Sequence, residues 1–369
     1  MKLVLSEEQR ELRVVVRDLI ADRADSHAVR TAMASAAGYD LDLWKRLAEM
    51  GLVGLCAPEE FGGAAAGYVE RAVVCEELGR ALVPGPYLAT SVLATDALQA
   101  LGDEGAAGDY LPSIAAGELI AGIAVAEGPS AWPGSGGQTK AAREHSGWVL
   151  NGTKTRVIHG DSAGLLLVYA ATPDGAGWFA VEPDAATVRV TALAGLDLTR
   201  RLCQVDFAGA AARPLATPDP RGVLDKVARL AVVALAAEQA GGLRRLVEMT
   251  AEYSKIRVQF GRPIGSFQAV KHGIAEMYCA WELADSVVRY AAWAADESPA
   301  EFPLAAGLAH AYVGPAYFSA AASSIQYHGG IGFTWEHDAH LYYKRAKSTE
   351  LLFGGSGAQR RQLADQLGI

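Results

Sequence analysis

The first third of the chain has apolar residues at helical spacing. Ser6 and Gln9 stand three residues apart ahead of an apolar run, which is the pattern of an N-terminal capping box. Apolar residues then recur in steps of three and four at Leu12, Val15, Val16, Leu19 and Ile20. A later helix is predicted over 68–82, where the Pro-Gly-Pro cluster at 84–86 prevents its continuation. Residues 1–120 are therefore predicted to form a helical domain.

Between residues 121 and 212 the chain changes to short runs rich in β-branched and aromatic residues. Gly, Pro, Asp and Asn separate these runs, as expected of antiparallel strands joined by tight turns. Strands are predicted at 148–150, 155–158, 165–169, 178–181, 188–190 and 205–207. This stretch is predicted to be a small antiparallel β domain.

From about residue 222 the helical pattern returns and is more regular. One segment alternates steps of four and three, the seam of a bundle helix, at Val270, Ile274, Met277, Trp281, Ala284, Val288 and Ala291. We therefore predict an α+β fold with an N-terminal helical domain (1–120), a central antiparallel β domain (121–212) and a C-terminal helical bundle (213–369).

Composition and charge exclude several classes of protein. The 369 residues are 51% hydrophobic and 20% charged, which predicts a folded globular chain. The net charge is −9 and no block of lysine or arginine occurs, so neither nucleic acid nor an anionic membrane is an expected partner. The longest apolar run, 230–237, is too short to cross a bilayer. The N-terminus has acidic residues from position 7 and does not resemble a signal peptide, so a cytoplasmic location is expected.

The four cysteines are far apart, at Cys56, Cys75, Cys203 and Cys279. They form no closely spaced pair and have no histidine at ligand spacing, so the sequence predicts no metal site. Because a free cysteine behaves as a small hydrophobic residue, all four are predicted to be buried thiols.

Two segments of the predicted bundle are candidates for chemistry. The first is Arg257-Val258-Gln259-Phe260-Gly261-Arg262-Pro263-Ile264, followed by Phe267 and Gln268. The alternative interpretation is structural: a helix ends at Gly261, Pro263 prevents its continuation and Arg257 is solvated. Taken alone, the segment does not decide between these interpretations.

The second segment is Gln326-Tyr327-His328-Gly329-Gly330-Ile331-Gly332-Phe333, between two predicted helices. No strand precedes it and a glycine is missing from the dinucleotide-binding pattern, so it is not that fingerprint. Its glycines supply a backbone that a ligand can approach closely. The alternative is a glycine that merely ends a helix.

Together, in this domain order, the two segments resemble the acyl-CoA dehydrogenase family. Arg257-x-x-Phe260-Gly261 is similar to the family's signature after the first bundle helix, and Gln326-x-x-Gly329-Gly330-x-Gly332 to its glycine motif. Two further turns match the family, Asn151-Gly152-x-Lys154 and Pro58-Glu59-x-Phe61-Gly62-Gly63. Each motif is weak alone, but the combination is specific and covers essentially the whole chain.

The resemblance implies an activity, a cofactor and partners. Family members desaturate acyl-CoA thioesters: a carboxylate removes the α-proton while hydride passes from the β-carbon to FAD. An electron-transfer acceptor then reoxidises the flavin. The resemblance also implies the family fold, in which the C-terminal domain is a four-helix bundle. In that fold each FAD lies across a dimer interface, where one subunit holds the flavin ring and its neighbour contacts the pyrophosphate and adenosine.

The residues for the pyrophosphate and adenosine half of that site are present. The resemblance assigns FAD contacts across the interface to Arg257, Gln259, Phe260, Gln268, Gln326, Gly329 and Gly330. Arg257 is the expected pyrophosphate partner because its guanidinium is a permanent, forked cation. We therefore predict that this chain supplies the ADP half of an FAD site.

The residues for the flavin-ring half depart from the family pattern. Where the family has an aromatic residue, Thr-Glu and a Gly-Ser turn, this chain has Ile123-Ala124-Val125-Ala126-Glu127-Gly128-Pro129. Where the family has Trp or Phe, then Ile or Val, then Ser or Thr, this chain has Arg156-Val157-Ile158. The flat stacking surface and the hydroxyl donor are both missing, and Arg156 and Ile158 are predicted to block a ring site here.

The catalytic carboxylate of the family is also missing. Its usual position is occupied by Gly354 in Phe353-Gly354-Gly355-Ser356, and the other known position falls at about Ala231. Glu238 is a candidate substitute, on the same helical face as Ala231 but about 10 Å along the axis. A buried glutamate has the raised pKa that a base needs, but pairing of Glu238 with an arginine is the favoured interpretation. Glu350 is a weaker candidate.

This half-site pattern is similar to the base-less subunit of heterotetrameric acyl-CoA dehydrogenases of bacterial steroid side-chain degradation. We therefore predict an α2β2 enzyme in which a homologous subunit completes the site for an acyl-CoA substrate. The alternatives are a homotetrameric dehydrogenase using Glu238, another flavin reaction such as nitroalkane oxidation or hydroxylation, and a flavin-free interaction subunit.

Overall fold

The structure is a computed structural model and describes residues 3–128, 137–144 and 147–368. The α-helices in these ranges are α1 (Glu7–Arg23), α2 (Ser26–Ala34), α3 (Leu41–Glu49), α4 (Tyr68–Arg80), α5 (Thr95–Leu101), α6 (Glu104–Ala115), α7 (Pro220–Ile256), α8 (Gln268–Glu297), α9 (Phe302–His328), α10 (Ala339–Leu351) and α11 (Gly355–Leu367), and a π-helix, Leu88–Ala94, precedes α5. The strands are β1 (Ala121–Ala124), β2 (Lys140–Glu144), β3 (Gly147–Ile158), β4 (Leu165–Thr172), β5 (Gly175–Val181), β6 (Val188–Ala192), β7 (Leu202–Leu215), β8 (Val258–Gln259) and β9 (Arg262–Pro263).

The order of helices, strands and helices is the one that the sequence predicts, and the predicted α+β class is confirmed. The capping box is also present: the backbone N–H of Gln9 donates to Ser6 Oγ at 3.2 Å, and the backbone N–H of Ser6 donates to Gln9 Oε1 at 2.9 Å. Two backbone donors at the start of α1 are thereby satisfied. The helix therefore begins where its sequence pattern begins.

The chain folds as two compact units, each built from separated stretches. One unit comprises residues 1–30, 68–83 and 232–369, and the other comprises 31–67 and 84–231. The three-domain division at residues 120 and 212 stays a prediction, since it follows secondary structure along the chain and not compactness.

The second unit contains a seven-stranded sheet in the order β1-β4-β2-β3-β7-β5, with β6 on β7 and β4 also paired with β5. Most pairings are antiparallel, as predicted, but β1 and β2 both pair with β4 in parallel. Large apolar side chains fill the sheet core, among them Leu150, Leu166, Phe179, Val205 and Phe207. All six predicted strands lie within β3 to β7.

The turn predicted at Asn151-Gly152-x-Lys154 was wrong in form, because these residues lie inside β3. Gly152 has φ +140° beside a register shift between Leu150 and Asn151. The Asn151 Oδ1 accepts a hydrogen bond from the backbone N–H of Gly209 at 2.8 Å across the strands. The residues that resemble a turn thus form an irregularity within a long strand.

The first unit is helical apart from the short β8–β9 hairpin, among its described residues. In it α4 and α7 cross in close contact at two glycines. A Cβ at Gly79 would lie 2.0 Å from the carbonyl oxygen of Glu238, and one at Gly241 would lie 1.8 Å from that of Glu76. Only glycine permits this approach, which fixes the position of the α7 turn that carries Glu238.

The predicted seam of α8 is only partly buried. Its later positions, Met277, Ala284, Val288 and Ala291, are buried, whereas its earlier ones, Val270, Ile274 and Trp281, are only half-buried. Periodicity therefore identifies the apolar face of the helix. It does not predict how much of that face is buried by the rest of the same chain.

The four cysteines are free thiols, but the prediction that all are buried was wrong for two of them. Cys75 and Cys203 are buried, Cys56 is half-buried and Cys279 is exposed on α8. Within the ranges that the structure describes, no three His, Cys, Asp or Glu side chains form a group that could hold a metal ion. No helix in those ranges is long and apolar enough to cross a membrane.

Candidate functional site

The arginine signature lies at the end of α7 and in the β8–β9 hairpin that follows. The helix ends at Ile256, and the backbone N–H of Arg257 still donates to Tyr253 O at 2.9 Å. Phe260 and Gly261 form the turn with φ of +52° and +76°. Positive φ at both central residues is typical of a tight hairpin turn, but it is strained for a bulky residue such as phenylalanine.

The signature side chains point to solvent. Arg257, Gln259 and Gln268 are exposed, and Phe260 is 91% exposed. Arg257 forms no ion pair within residues 3–128, 137–144 and 147–368. A strained, exposed aromatic ring beside such an arginine marks a surface available to a ligand or to another chain.

The glycine motif forms a turn at the end of α9. The helix ends at His328, and a 3₁₀ turn covers Gly329–Phe333. Gln326, Gly329 and Gly330 are exposed, and a Cβ added to either glycine would have no heavy atom within 4 Å. The backbone of this turn is therefore open to a ligand.

The structure brings the arginine signature and the glycine motif together. The hydroxyl of Tyr253 donates to His328 O at 3.3 Å, and the two rings stack with centroids 4.5 Å apart. One turn earlier, Thr250 Oγ1 donates to Ser324 Oγ at 2.8 Å, and both residues are fully buried. The last turns of α7 and α9 therefore carry the two segments as neighbours, an arrangement for which the sequence indicated only the separate segments.

The two segments predicted for the flavin ring are also neighbours. The backbone N–H of Thr155 donates to Ala126 O at 2.9 Å, and Lys154 Nζ donates to Val125 O at 3.1 Å. Pro129, at the end of the first segment, lies outside the described residues. The resemblance to the family pattern identifies both segments but not the contact between them.

A buried ion pair joins these segments. Lys154 Nζ lies 2.6 Å from Glu127 Oε1, and the lysine is fully buried. The Glu127 carboxylate also accepts hydrogen bonds from the backbone N–H groups of Gly137, Gln138 and Thr139, at 2.9 to 3.0 Å. Burial alone raises the pKa of Glu127, but the bonds from Lys154 and the backbone outweigh it and lower that pKa to about 2. Glu127 is therefore an ionised structural residue.

Arg156 lies on a bulge in β3. The pairing with β7 shifts between Lys154 and Val157, and Arg156 has φ +54°. The arginine is half-buried, whereas Ile158 is buried with 4% exposure. A bulge interrupts the regular alternation of side chains between the two faces of a strand. Arg156 therefore does not follow the alternation of the rest of β3. The block by Arg156 and Ile158 stays a prediction.

Neither of the two positions that the resemblance assigns to the family's base carries a carboxylate. Gly354 has φ +111° and ends a turn after Phe353, which has φ +58°. Ala231, on α7, is fully buried. A glutamate at position 354 would thus need a backbone conformation that side-chain-bearing residues rarely adopt.

Glu238 is engaged in an ion pair. Its Oε1 lies 2.6 Å from Arg345 Nη1 on α10, and the side chains are 14% and 4% exposed. Glu350 also forms an ion pair, since its Oε2 lies 3.0 Å from Lys347 Nζ. Both contacts favour the structural interpretation of these carboxylates, since a base needs a free lone pair directed at its substrate.

We expect Glu238→Gln to leave turnover of the assembled enzyme within about tenfold of the wild type, because loss of a general base costs about 100-fold or more. The amide keeps the shape and can still accept a hydrogen bond from Arg345. Steady-state kinetics at saturating substrate test this expectation. Abolished turnover with intact fold and bound flavin would instead establish Glu238 as the base.

The fold and these segments define the class of protein. Residues 6–118 match the acyl-CoA dehydrogenase N-terminal domain, and residues 227–368 match the acyl-CoA dehydrogenase C-terminal domain. The chain belongs to the acyl-CoA dehydrogenase family, whose members are flavoprotein oxidoreductases.

Three proteins illustrate what this chain is similar to within the family. The chain is 37% identical over 362 residues to acyl-CoA dehydrogenase IpdE2 of Mycobacterium tuberculosis, covering 98% of each sequence. It matches a chain of the ChsE4-ChsE5 complex from the same organism with a TM-score of 0.91 and 32% identity, covering 100% of this chain and 99% of that one. It also matches a variant of the Tcur3481-Tcur3483 steroid ACAD with a TM-score of 0.89 and 31% identity over 98% of both chains.

Proposed function

We propose that this chain is the base-less subunit of an FAD-dependent acyl-CoA dehydrogenase and supplies the ADP half of the FAD site to a catalytic partner subunit. The observation that carries the proposal is the exposed surface formed by Arg257 and the open turn at Gly329 and Gly330. It combines a cation that pairs with no carboxylate of the described chain and a backbone that a phosphate can approach.

The residues present fit that half of the cofactor. Arg257 would face the pyrophosphate, and the exposed backbone at Gly329 and Gly330 admits close approach of the dinucleotide. Gln259, Gln268 and Gln326 are exposed polar side chains on the same two segments and offer amide donors and acceptors. Phe260 would pack against the partner, which would cover its 91% exposed ring.

The other half of the reaction is assigned to the partner. Bound FAD would supply the acceptor for the hydride from the β-carbon of the acyl-CoA. The proton on the α-carbon needs a carboxylate, and neither Gly354 nor Ala231 offers one. A homologous subunit with the carboxylate and the flavin-ring contacts would complete one site at each unlike interface. Two copies of each chain make an α2β2 enzyme.

The relatives support a substrate class. One matched structure is described as a steroid ACAD, and another is a complex of two different named chains. By this likeness we propose a steroid-derived acyl-CoA thioester as substrate, with an electron-transfer acceptor reoxidising the flavin.

Arg257→Ala should weaken FAD binding by the assembled enzyme on the order of ten- to a hundredfold, because it removes a charge-assisted contact to the pyrophosphate. Folding stability should change little, since Arg257 is exposed. Lys255→Ala is the matched control: it removes a neighbouring exposed cation from the same helix end. FAD affinity measured by flavin fluorescence should fall only in the arginine variant, and equal losses in both variants would contradict the assignment.

A further inference from the structure

His328 connects the two segments of the proposed ADP half. Its ring lies between Tyr253, with centroids 4.5 Å apart, and His337, with centroids 4.4 Å apart. Its backbone carbonyl accepts a hydrogen bond from the hydroxyl of Tyr253. Gly332 packs on it so closely that an added Cβ would lie 2.9 Å from His328 Cβ. The end of α7, the end of α9 and the glycine turn therefore meet at this one residue.

The hydrogen bonds of His328 fix its proton. Its Nδ1 lies 2.7 Å from Ser324 O, and because a carbonyl only accepts, Nδ1 carries the hydrogen. The other nitrogen, Nε2, then bears a lone pair. It is buried and has no hydrogen-bond partner among the described residues. The neutral ring fits this position because an apolar environment accepts a bare lone pair far better than a charge.

The charged groups around the His328 ring disfavour a positive charge on it. His337 lies against the ring, and Asp338 follows it directly. Arg30 of α2 donates to the backbone carbonyl of His337 and pairs with Asp338 at 2.6 Å, while Arg245 of α7 adds another positive charge towards His337. Further along, His340 and Lys344 of α10 lie against Trp335. Apart from Asp338, the titratable neighbours in this group are basic or neutral.

We propose that His328 is a positioning residue that holds the glycine turn against the end of α7, and that it does so only while its ring is neutral. The inference rests on the proposed function in one respect, since the segments it holds are those assigned to the ADP half of FAD. It adds a regulation of that site by pH: protonation of His328 would weaken binding of the ADP part of FAD.

The effect of acid follows from where the new proton goes. Protonation at Nε2 creates a buried N–H donor without an acceptor and a cation beside His337, so the ring must leave its stack. The contacts of His328 with Tyr253 and Gly332 are then lost, and Gly329 and Gly330 move away from Arg257. Burial lowers the pKa of His328, and His337 lowers it further. The ring therefore stays neutral near pH 7, and the arrangement is lost as pH falls through that lowered pKa.

Hydrogen exchange and ADP binding of the full-length chain test the proposal. After correction for intrinsic exchange, residues 325–333 should become less protected as pH falls through the lowered pKa of His328. ADP affinity by calorimetry should fall about tenfold for each pH unit below the pKa of His328. His328→Phe keeps a ring in the stack but cannot take a proton, so both pH effects should disappear. His272→Phe changes an exposed histidine of α8 and should behave as the wild type.

A second variant covers the case in which His328→Phe does not fold. His337→Phe removes the neighbouring histidine but keeps an aromatic ring, so the midpoint of the pH effect should move upward. A merely structural role of His328 would not produce that shift. Unchanged protection of residues 325–333 across the pH range, in the wild type, overturns the proposal. If protection follows pH as expected but ADP binds at neither pH, the positioning role stands and the proposed function fails.

Discussion

Co-expressed with a homologous catalytic subunit, the chain is expected to form a yellow complex holding one FAD for every two chains, whereas purified alone it should retain little flavin. A homodimer would contain two ADP halves but no competent flavin-ring half, because the ring segment carries Arg156 on a strained bulge. The unlike interface would create one complete site, and the reciprocal site would stay closed. Flavin extracted and quantified against protein gives the ratio directly.

The matched variant for this prediction is Gly354→Glu in the lone subunit, which should not restore turnover. A carboxylate there could take the α-proton of the substrate, but without bound flavin the hydride on the β-carbon would have no acceptor. The backbone adds a second obstacle, since φ of +111° at Gly354 is strained for glutamate. Full flavin occupancy of the single chain would refute the split-site proposal, and bleaching of that flavin by substrate would favour the homomeric alternative.

Lys154→Met should lower the free energy of unfolding by about 3 to 5 kcal/mol, because it leaves the buried carboxylate of Glu127 without its cation. The lysine is fully buried and the Glu127 side chain is 7% exposed. The carboxylate also bonds to three backbone N–H groups of 137–139, so it cannot turn out to solvent without breaking them. Chemical denaturation at pH 7 measures the loss.

Two variants control this experiment. Lys140→Met removes an exposed lysine from β2 and should change stability by less than about 0.5 kcal/mol. The double variant Glu127→Gln with Lys154→Met should recover most of the loss, because no buried charge remains unpaired. A double variant as unstable as Lys154→Met alone would show that the lysine acts through packing and not through charge.

The sequence predicts the fold well where periodicity is strong. The strands at 165–169 and 178–181 lie in the buried centre of the sheet, and their apolar runs are unambiguous. The strands β1 and β2 were missed for opposite reasons. Ala121–Ala124 is buried throughout and too short to show a period, while Lys140–Glu144 is mostly exposed and has no apolar run.

The candidate site was predictable only as separate segments. Arg257 and the glycines of 329–330 stand out by residue type, but the contact of Tyr253 with His328 depends on how α7 and α9 pack. The ion pair of Glu127 with Lys154 was missed for the same reason, since 27 residues separate them and neither lies in an alternating pattern. A tyrosine one turn before the arginine and a histidine before the glycines are the signals that the sequence offers for the first contact.

The hairpin turn has a consequence for how the protein is made. A newly folded copy presents Phe260, 91% exposed, on a turn whose backbone is already strained. Such a ring is a ready contact for chaperones and for other unassembled chains. If a partner subunit covers this ring, as proposed above, a chain made in excess of that partner would keep Phe260 exposed and would be the more prone to aggregate.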